Sequence, residues 1–393
     1  MSPSTSLRSR ITGRRVVIAA VVVSLLAGVA LAGAVVVVRL RPLPCSAAAA
    51  PVAEAVPDVD VTAKRTPVQT AGTTPPATTF GVYTAAFPGD AAALYHVAAA
   101  AGRSPDIVMW YVHWGDRFSA FDRPTVEGVL GRGATPMITW MSDDPTVRGY
   151  PDTAGQTAYR DSRITAGDDD AYIRSWAAGI RSVAGTVMLR LDHEMNCNWF
   201  GWDAGVNGQT AADFVAMWRH VHGIFSSMGV TNVRWVWSPN VATAGPAPLA
   251  ALYPGDDAVD LVGLDGYNWG TSHPGKHWQS FSDVFAASID DIRSVSHLPL
   301  LLTEVGCAEV GGDKAAWIAD FLAQLAARPE ITGFVWFDTD KETDWRFDSS
   351  PASAAAFRAG LARLDRRGAP LSRLVTDPSP DAADAISMEL AAS

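Results

Sequence analysis

Val187 to Trp202 reads Val-Met-Leu-Arg-Leu-Asp-His-Glu-Met-Asn-Cys-Asn-Trp-Phe-Gly-Trp. Its first five residues form a short apolar run of the kind that fills a buried strand. The run then opens into a polar cluster, His193-Glu194-Met195-Asn196, followed by Trp199 and Trp202. A single Glu at the start of a loop is ordinarily a solvated surface group. A second stretch of the same build changes that reading: Leu298 to Cys307 is apolar and ends in Thr303-Glu304-Val305-Gly306.

Working outward, the region from Thr79 alternates short apolar runs with amphipathic segments. The predicted strands are Phe80–Val82, Ile107–His113, Pro136–Trp140, Val187–Leu191, Asn232–Trp237, Leu261–Tyr267, Leu298–Thr303 and Ile331–Phe337. The clearest helix is Ala211–Ser227, where Phe214, Met217, Trp218, Val221, Ile224 and Phe225 make one stripe. Further helices are expected over Asp168–Val183, Phe281–Val295, Asp313–Ala327 and Ala352–Leu364. The acidic run Asp168-Asp169-Asp170 suits a helix start, where the macrodipole favours negative charge. Strands alternating with helices indicate an α/β fold with a parallel sheet, and this number of repeats allows closure as a (β/α)8 TIM barrel over residues 79–368. An open doubly wound sheet fits less well, because no Gly-rich phosphate loop follows the first strand.

The flanks differ in texture. Val16–Val38 carries no charge and would be roughly 34 Å long as a helix, enough to span a bilayer. Arg8, Arg10, Arg14 and Arg15 precede it, which puts the N-terminus in the cytoplasm and the rest outside. Residues 1–41 are therefore expected to be a basic tip with a transmembrane anchor or signal segment, and 42–78 a Pro-, Ala- and Thr-rich linker. Residues 369–393 are expected to form a tail. The expected location is extracellular, anchored at the membrane or secreted after cleavage. The net charge of −10 is spread along the chain, which speaks against a nucleic-acid surface.

In such a barrel the functional side chains lie where strands end. His113 and Trp114, Trp140, Glu194, Trp235 and Trp237, Asp265 and Tyr267, Glu304 and Trp336 all fall at such ends. Indole faces suit the apolar faces of sugar rings. Trp235 and Trp237 share one strand face and stand equally between core and site, whereas Trp176, Trp218 and Trp317 belong to helix cores. Two carboxylates facing each other across the mouth are what glycoside cleavage needs: one protonated donor and one ionised attacking group. Other chemistries fit less well. Position 197 is Cys, not the second His of a zinc-protease motif, and no Gly-x-Ser-x-Gly elbow is present. A cysteine hydrolase using Cys197 with His193 rests on sequence proximity alone. Cys197 and Cys307 read as buried thiols, with a bridge between them as the weaker alternative.

These residues carry a resemblance. His193-Glu194-Met195-Asn196 with Trp199, Thr303-Glu304-Val305-Gly306, Trp237-Ser238-Pro239-Asn240, Asp265-Gly266-Tyr267 and the Trp336 strand resemble glycoside hydrolase family 26, best known for endo-β-1,4-mannanases. The resemblance spans about Thr79 to Arg366. It implies a retaining mechanism with Glu194 as acid/base and Glu304 as nucleophile. It also implies that His193 and Trp199 line the acid/base side, Asp265 and Tyr267 hold the sugar at the cleavage point, and Trp336 forms its floor. His113 and Trp114 would contact the next sugar. Asn196, Trp140 and Trp345, the last in the charged loop Asp340 to Arg346, complete the expected substrate-binding set. Cys197 departs from a commoner Gly, and Phe337 stands where some mannan-active members carry a basic residue. The expected substrate is β-mannan, with mixed-linkage β-glucan or β-1,3-xylan as alternatives. No metal and no cofactor are expected. A surface carbohydrate-binding protein without turnover is the reading from another class.

Overall fold

The computed structural model describes residues 78–115, 120–147, 156–241 and 245–365. Eight parallel strands close on themselves: β1 (Thr79–Tyr83), β2 (Ile107–His113), β3 (Thr135–Met141), β4 (Val187–Leu191), β5 (Val233–Trp237), β6 (Leu261–Asn268), β7 (Leu300–Cys307) and β8 (Ile331–Phe337). The seam pairs β1 with β8 from Thr79↔Gly333 to Tyr83↔Phe337. The helices between and after them are α1 (Ala93–Ala101), α2 (Arg123–Leu130), α3 (Asp161–Thr165), α4 (Asp170–Arg181), α5 (Ala211–Ser227), α6 (Leu249–Leu252), α7 (Phe281–Val295), α8 (Lys314–Ala327) and α9 (Pro351–Asp365). The architecture is the expected (β/α)8 barrel, with α3 as an addition before α4.

Helix starts are written in the sequence. Thr210 and Asp213 form a reciprocal capping box on α5, and Ser280 and Asp283 do the same on α7. Each box satisfies two N–H groups that the first turn leaves unpaired. The side-chain period of two sorts each strand into an inner and an outer row. Ile107, Met109, Met137, Met188, Val236, Leu301 and Val335 fill the barrel interior. The outer row meets the helices in a larger core that includes Trp110, Trp140, Trp235, Trp237 and Trp336.

That sorting corrects two expected sugar contacts. Trp140 is fully buried between Trp114 at 4.7 Å and Trp176 of α4 at 4.8 Å, and its indole N–H donates to Tyr172. Trp336 is fully buried on the outer row against Phe321 of α8 and Phe357 of α9. Both belong to the barrel–helix interface, where truncating a buried indole to Ala costs about 3–5 kcal/mol. Trp235 and Trp237 fall in the same interface, which decides between core and site for them.

β7 breaks the alternation. Its register shifts against β6 at Leu264/Asp265 and against β8 between Leu302 and Val305. A bulge of this kind re-aims a side chain. Thr303 and Glu304 consequently both reach inner-row partners, Thr303 bonding Asp265 and Glu304 bonding Arg190. Glu304 thus lies within a strand that runs on to Cys307, beyond the predicted end at Thr303.

Cys197 and Cys307 are both free and buried, which overturns the bridge between them. Among the described residues no helix is long and apolar enough to cross a membrane. The expected span Val16–Val38, residues 42–77 of the expected linker and the tail 369–393 lie outside the described residues.

Candidate active site

Glu194 sits just past β4, with backbone φ at 59, and its N–H donates to the Ser238 carbonyl at 2.7 Å. Asp192, two residues before it, has φ 41. Asp192 is fixed by accepting from the Ser142 N–H and hydroxyl, each at 2.7 Å. The left-handed region is strained for side-chain-bearing residues and persists where surrounding bonds over-determine it. Here the bonds to β3 and to the end of β5 supply that restraint.

Two groups hold the Glu194 carboxyl. Asn240 Nδ2 donates to Oε1 at 2.5 Å, and Trp199 Nε1 donates to Oε2 at 2.8 Å. Asn196 is buried. It clamps Asn240, donating to the Asn240 carbonyl at 2.8 Å and accepting from its N–H at 2.9 Å. Asn196 is therefore corrected from a sugar contact to the support of the residue that grips Glu194. Burial, reinforced by repulsion from Glu304, pushes the Glu194 carboxyl up to about 7. Loss of a proton is then resisted well into the neutral range.

Glu304 stands in a different environment. Arg190 Nη1 lies 2.8 Å from Oε1, the Tyr111 hydroxyl donates to Oε1 at 2.5 Å, and the Tyr267 hydroxyl donates to Oε2. One cation and two hydroxyl donors thus converge on this carboxyl. Arg190 is fully buried, donates to Thr139 at 3.0 Å, and pairs on its other side with Asp265. Burial opposes the guanidinium charge, but Asp265 and then Glu304 outweigh it and raise its pKa further. Burial and then Arg190 hold His193 well below the usual imidazole range, so the ring is neutral, with Nε2 3.9 Å from Glu304.

One oxygen each of Glu194, Asp265 and Glu304 lies within 4.8 Å of the others. Among the described residues this is the group that could ligate a metal ion, and Arg190 already supplies positive charge between two of its members. Two carboxyls this close suit direct attack at the sugar carbon, for which a separation of about 5–5.5 Å is typical, against roughly 6.5–9.5 Å when a water must fit between.

The remaining expected residues divide. His193, Trp199 and Tyr267 converge on the two glutamates. His113 reaches the mouth, its side chain 30% exposed and paired with Asp143 at 2.6 Å. Asp265 is fully buried, accepting from Arg190, Ser238 and Thr303, so it supports the site from below and offers no oxygen to a sugar. Trp114 is buried against Trp140 and Tyr172. Trp345 does lie at the mouth, but it is 1% exposed, packed against Tyr267 and Trp269 with its N–H donating to Glu342. The half-buried aromatics at the mouth are instead Tyr83, Tyr111, Trp199, Phe200, Tyr267 and Trp269. Phe337 stacks on Tyr83 at 4.6 Å, beneath Lys341 of the same loop as Trp345.

Arg190, Tyr111 and Asn240 were not anticipated as site residues. Arg190 had a signal: a guanidinium inside an apolar strand requires a buried acidic partner. Tyr111 shares an inner row with His113 by the alternation rule.

A model of the family described as Glycosyl hydrolase family 26 matches residues 164–294, which include Glu194, Asn240 and Asp265. Endoglucanase H of Acetivibrio thermocellus is 35% identical over 265 residues, covering 66% of this chain and 28% of that protein. Over residues 164–294 the chain therefore matches glycoside hydrolase family 26. Another similar sequence, the mannan endo-1,4-beta-mannosidase A and B of Caldalkalibacillus mannanilyticus, is 38% identical over 97 residues, 23% of this chain and 17% of its own length. The chain thus spans well under two thirds of the length of either relative. Its barrel also superposes on that of a Cellulomonas fimi endo-beta-1,4-mannanase double mutant with a TM-score of 0.56 at 19% identity, covering 76% of this chain and 73% of that one. At that identity the likeness speaks to the fold alone.

The grip on Glu194 gives a testable pH effect. With Glu194 as the proton donor proposed below, kcat/KM should fall as pH rises through about 7. The Asn240 bond favours the charged form and lowers the carboxyl's pKa. Asn240→Ala should therefore move the alkaline limb of the kcat/KM profile to higher pH, and a limb moving the other way would refute this role.

Proposed function

We propose that this chain is a retaining glycoside hydrolase that cuts internal β-linkages of a polysaccharide, with Glu194 as acid/base and Glu304 as nucleophile. The observation that carries the reading is the pairing of unlike carboxyls within 4.8 Å. One is raised to about 7 by burial, and the other is held by Arg190 and two tyrosines. Glu304 attacks the anomeric carbon while Glu194 gives its proton to the departing glycosidic oxygen. The sugar is then held as an ester of Glu304. Glu194, now ionised, takes a proton from water, and that water displaces Glu304 with net retention. Neutral His193 and the Tyr111 and Tyr267 hydroxyls shape the pocket without competing for the proton. The two carboxyls suffice for this chemistry, with no cofactor.

β-1,4-Mannan is the substrate proposed first, in keeping with the mannan-named relative. A β-glucan is the second reading, favoured by the long match to Endoglucanase H. That protein's printed activity belongs to a chain of which this one covers 28%. The barrel is further proposed to work outside the cell, carried on Val16–Val38.

One experiment tests these points together. The full chain is expressed, membrane, secreted and cytosolic fractions are separated, and each is assayed on β-mannan, mixed-linkage β-glucan and β-1,3-xylan. Product anomers are followed by proton NMR. Turnover in the membrane or secreted fraction with the β-anomer formed first is expected. Initial α-anomer would overturn the retaining mechanism, and activity confined to the cytosol would overturn export. Binding to these glycans without turnover would favour a carbohydrate-binding protein instead.

A further inference from the structure

Lys314 opens α8, yet only 2% of it is exposed. Its ammonium donates to the Asp344 carbonyl at 3.0 Å, the Arg346 carbonyl at 2.7 Å and the Ser349 hydroxyl at 2.7 Å. Those three bonds use every donor a lysine has. Glu309, which follows β7, lies 3.9 Å from the ammonium and accepts from the Ser349 and Ser353 hydroxyls. The loops after β7 and β8 are thereby stapled to each other. An apolar side chain could fill the same volume without the desolvation that a buried ammonium suffers. Burial indeed holds the lysine's pKa below its ordinary value. The charge is retained against that cost, so its bonding geometry is the feature to explain.

The two carbonyls it grips flank Trp345. The Trp345 N–H donates to the Thr339 carbonyl at 3.0 Å, and its own carbonyl accepts from Trp336 Nε1 at 2.9 Å. The indole is pressed to within 4.9 Å of the Tyr267 ring, centroid to centroid. Gly306 makes room for that approach. A Cβ there would lie 2.7 Å from Tyr267 and 2.9 Å from Trp345. Tyr267 in turn donates its hydroxyl to Glu304. A continuous set of contacts therefore runs from the ammonium to the attacking carboxylate.

We propose that Lys314 is a positioning residue for the reaction: by gripping the carbonyls on either side of Trp345, it holds that indole as the back wall of Tyr267, which orients Glu304. The inference rests on Glu304 being the nucleophile. Glu304 needs angular precision more than the substrate needs affinity, because a displacement of about 1 Å at a reacting group can cost on the order of 100-fold in rate.

The test compares full-length wild type with Lys314→Met, which keeps most of the side chain's length and removes its donors, and Ser349→Ala, which removes one acceptor. Steady-state kinetics on the polysaccharide that wild type cleaves and near-UV circular dichroism are read together. Lys314→Met is expected to lose roughly tenfold in kcat with KM within about twofold. The aromatic ellipticity from the Trp345–Tyr267 contact should weaken with it. Ser349→Ala should move both readouts the same way by a smaller step, and it serves should Lys314→Met fail to fold. Wild-type kcat in either folded variant overturns the proposal, as does a rise in KM at unchanged kcat. Activity surviving in Glu304→Ala would instead sink the nucleophile reading itself, independently of Lys314.

Discussion

With Glu304 as the proposed nucleophile, Glu304→Ala is expected to abolish polysaccharide hydrolysis, with kcat falling by about 10⁴-fold or more, because among the described residues no other group is placed to form the covalent intermediate. Such a loss corresponds to about 5.5 kcal/mol of barrier. Glu194→Ala should lose as much on the natural substrate but behave differently in detail. A leaving group that departs as a stable anion, such as a dinitrophenolate, needs no proton. With an aryl glycoside of that kind the Glu194→Ala enzyme should therefore form its ester quickly and stall before hydrolysis. Added azide, which attacks without a general base, should release a β-glycosyl azide and restore turnover. Glu304→Ala should instead give the α-azide, since the azide takes the nucleophile's place on the opposite face. Exchange of these two product anomers would reverse the assignment. Equal, unrescued loss in both variants would remove the functional distinction between the carboxyls.

The second large effect concerns Arg190. Its guanidinium is fully buried and bonded to both Asp265 and Glu304, so solvent and salt screen these pairs little. Arg190→Met should destabilise the fold by about 3–5 kcal/mol, the cost of leaving buried charge without a partner. It should also lower activity sharply, since Glu304 loses its cation. Urea unfolding at neutral pH reads the first effect. Adding Asp265→Asn to Arg190→Met should recover part of the lost stability, since one orphaned charge is then gone. A double variant no more stable than Arg190→Met alone would count against the charge-pair account.

Much of the barrel was legible because buried parallel strands are apolar runs and their helices carry stripes. Ile107–His113, Val187–Leu191, Ile331–Phe337, Ala211–Ser227 and Phe281–Val295 match the predicted bounds. α1 escaped notice because its buried row, Leu94, Val97 and Ala101, is short and set among alanines that blur the period. At the site, strand ends located Glu194, Tyr267 and His113, but a strand end alone does not say which way a side chain points. Trp140 and Trp336 lie one residue out of phase with the inner row, and Phe337 takes the inward place beside Trp336. Glu304 is the opposite case: simple alternation after Leu301 would aim it outward, and the irregular register of β7 turns it in. Arg190 was hidden among apolar neighbours, and the buried oxygens that accept from it come from β3, β6 and β7. No local window contains them.

The backbone at Glu194 carries a consequence for any attempt to harden this protein. Its φ of 59 favours glycine, and its buried carboxyl is raised from 4.5 to about 7. A raised carboxyl means that the folded chain holds this proton more tightly than the unfolded one. The resulting stability is complete below about pH 4.5 and is lost as pH climbs through about 7, a penalty of about 3 kcal/mol in mildly alkaline buffer. Glycine at this position relieves both burdens at once. Selection for heat resistance alone, with no demand for turnover, would therefore reward discarding the proposed proton donor, and libraries enriched only by survival at high temperature should fill with inert barrels.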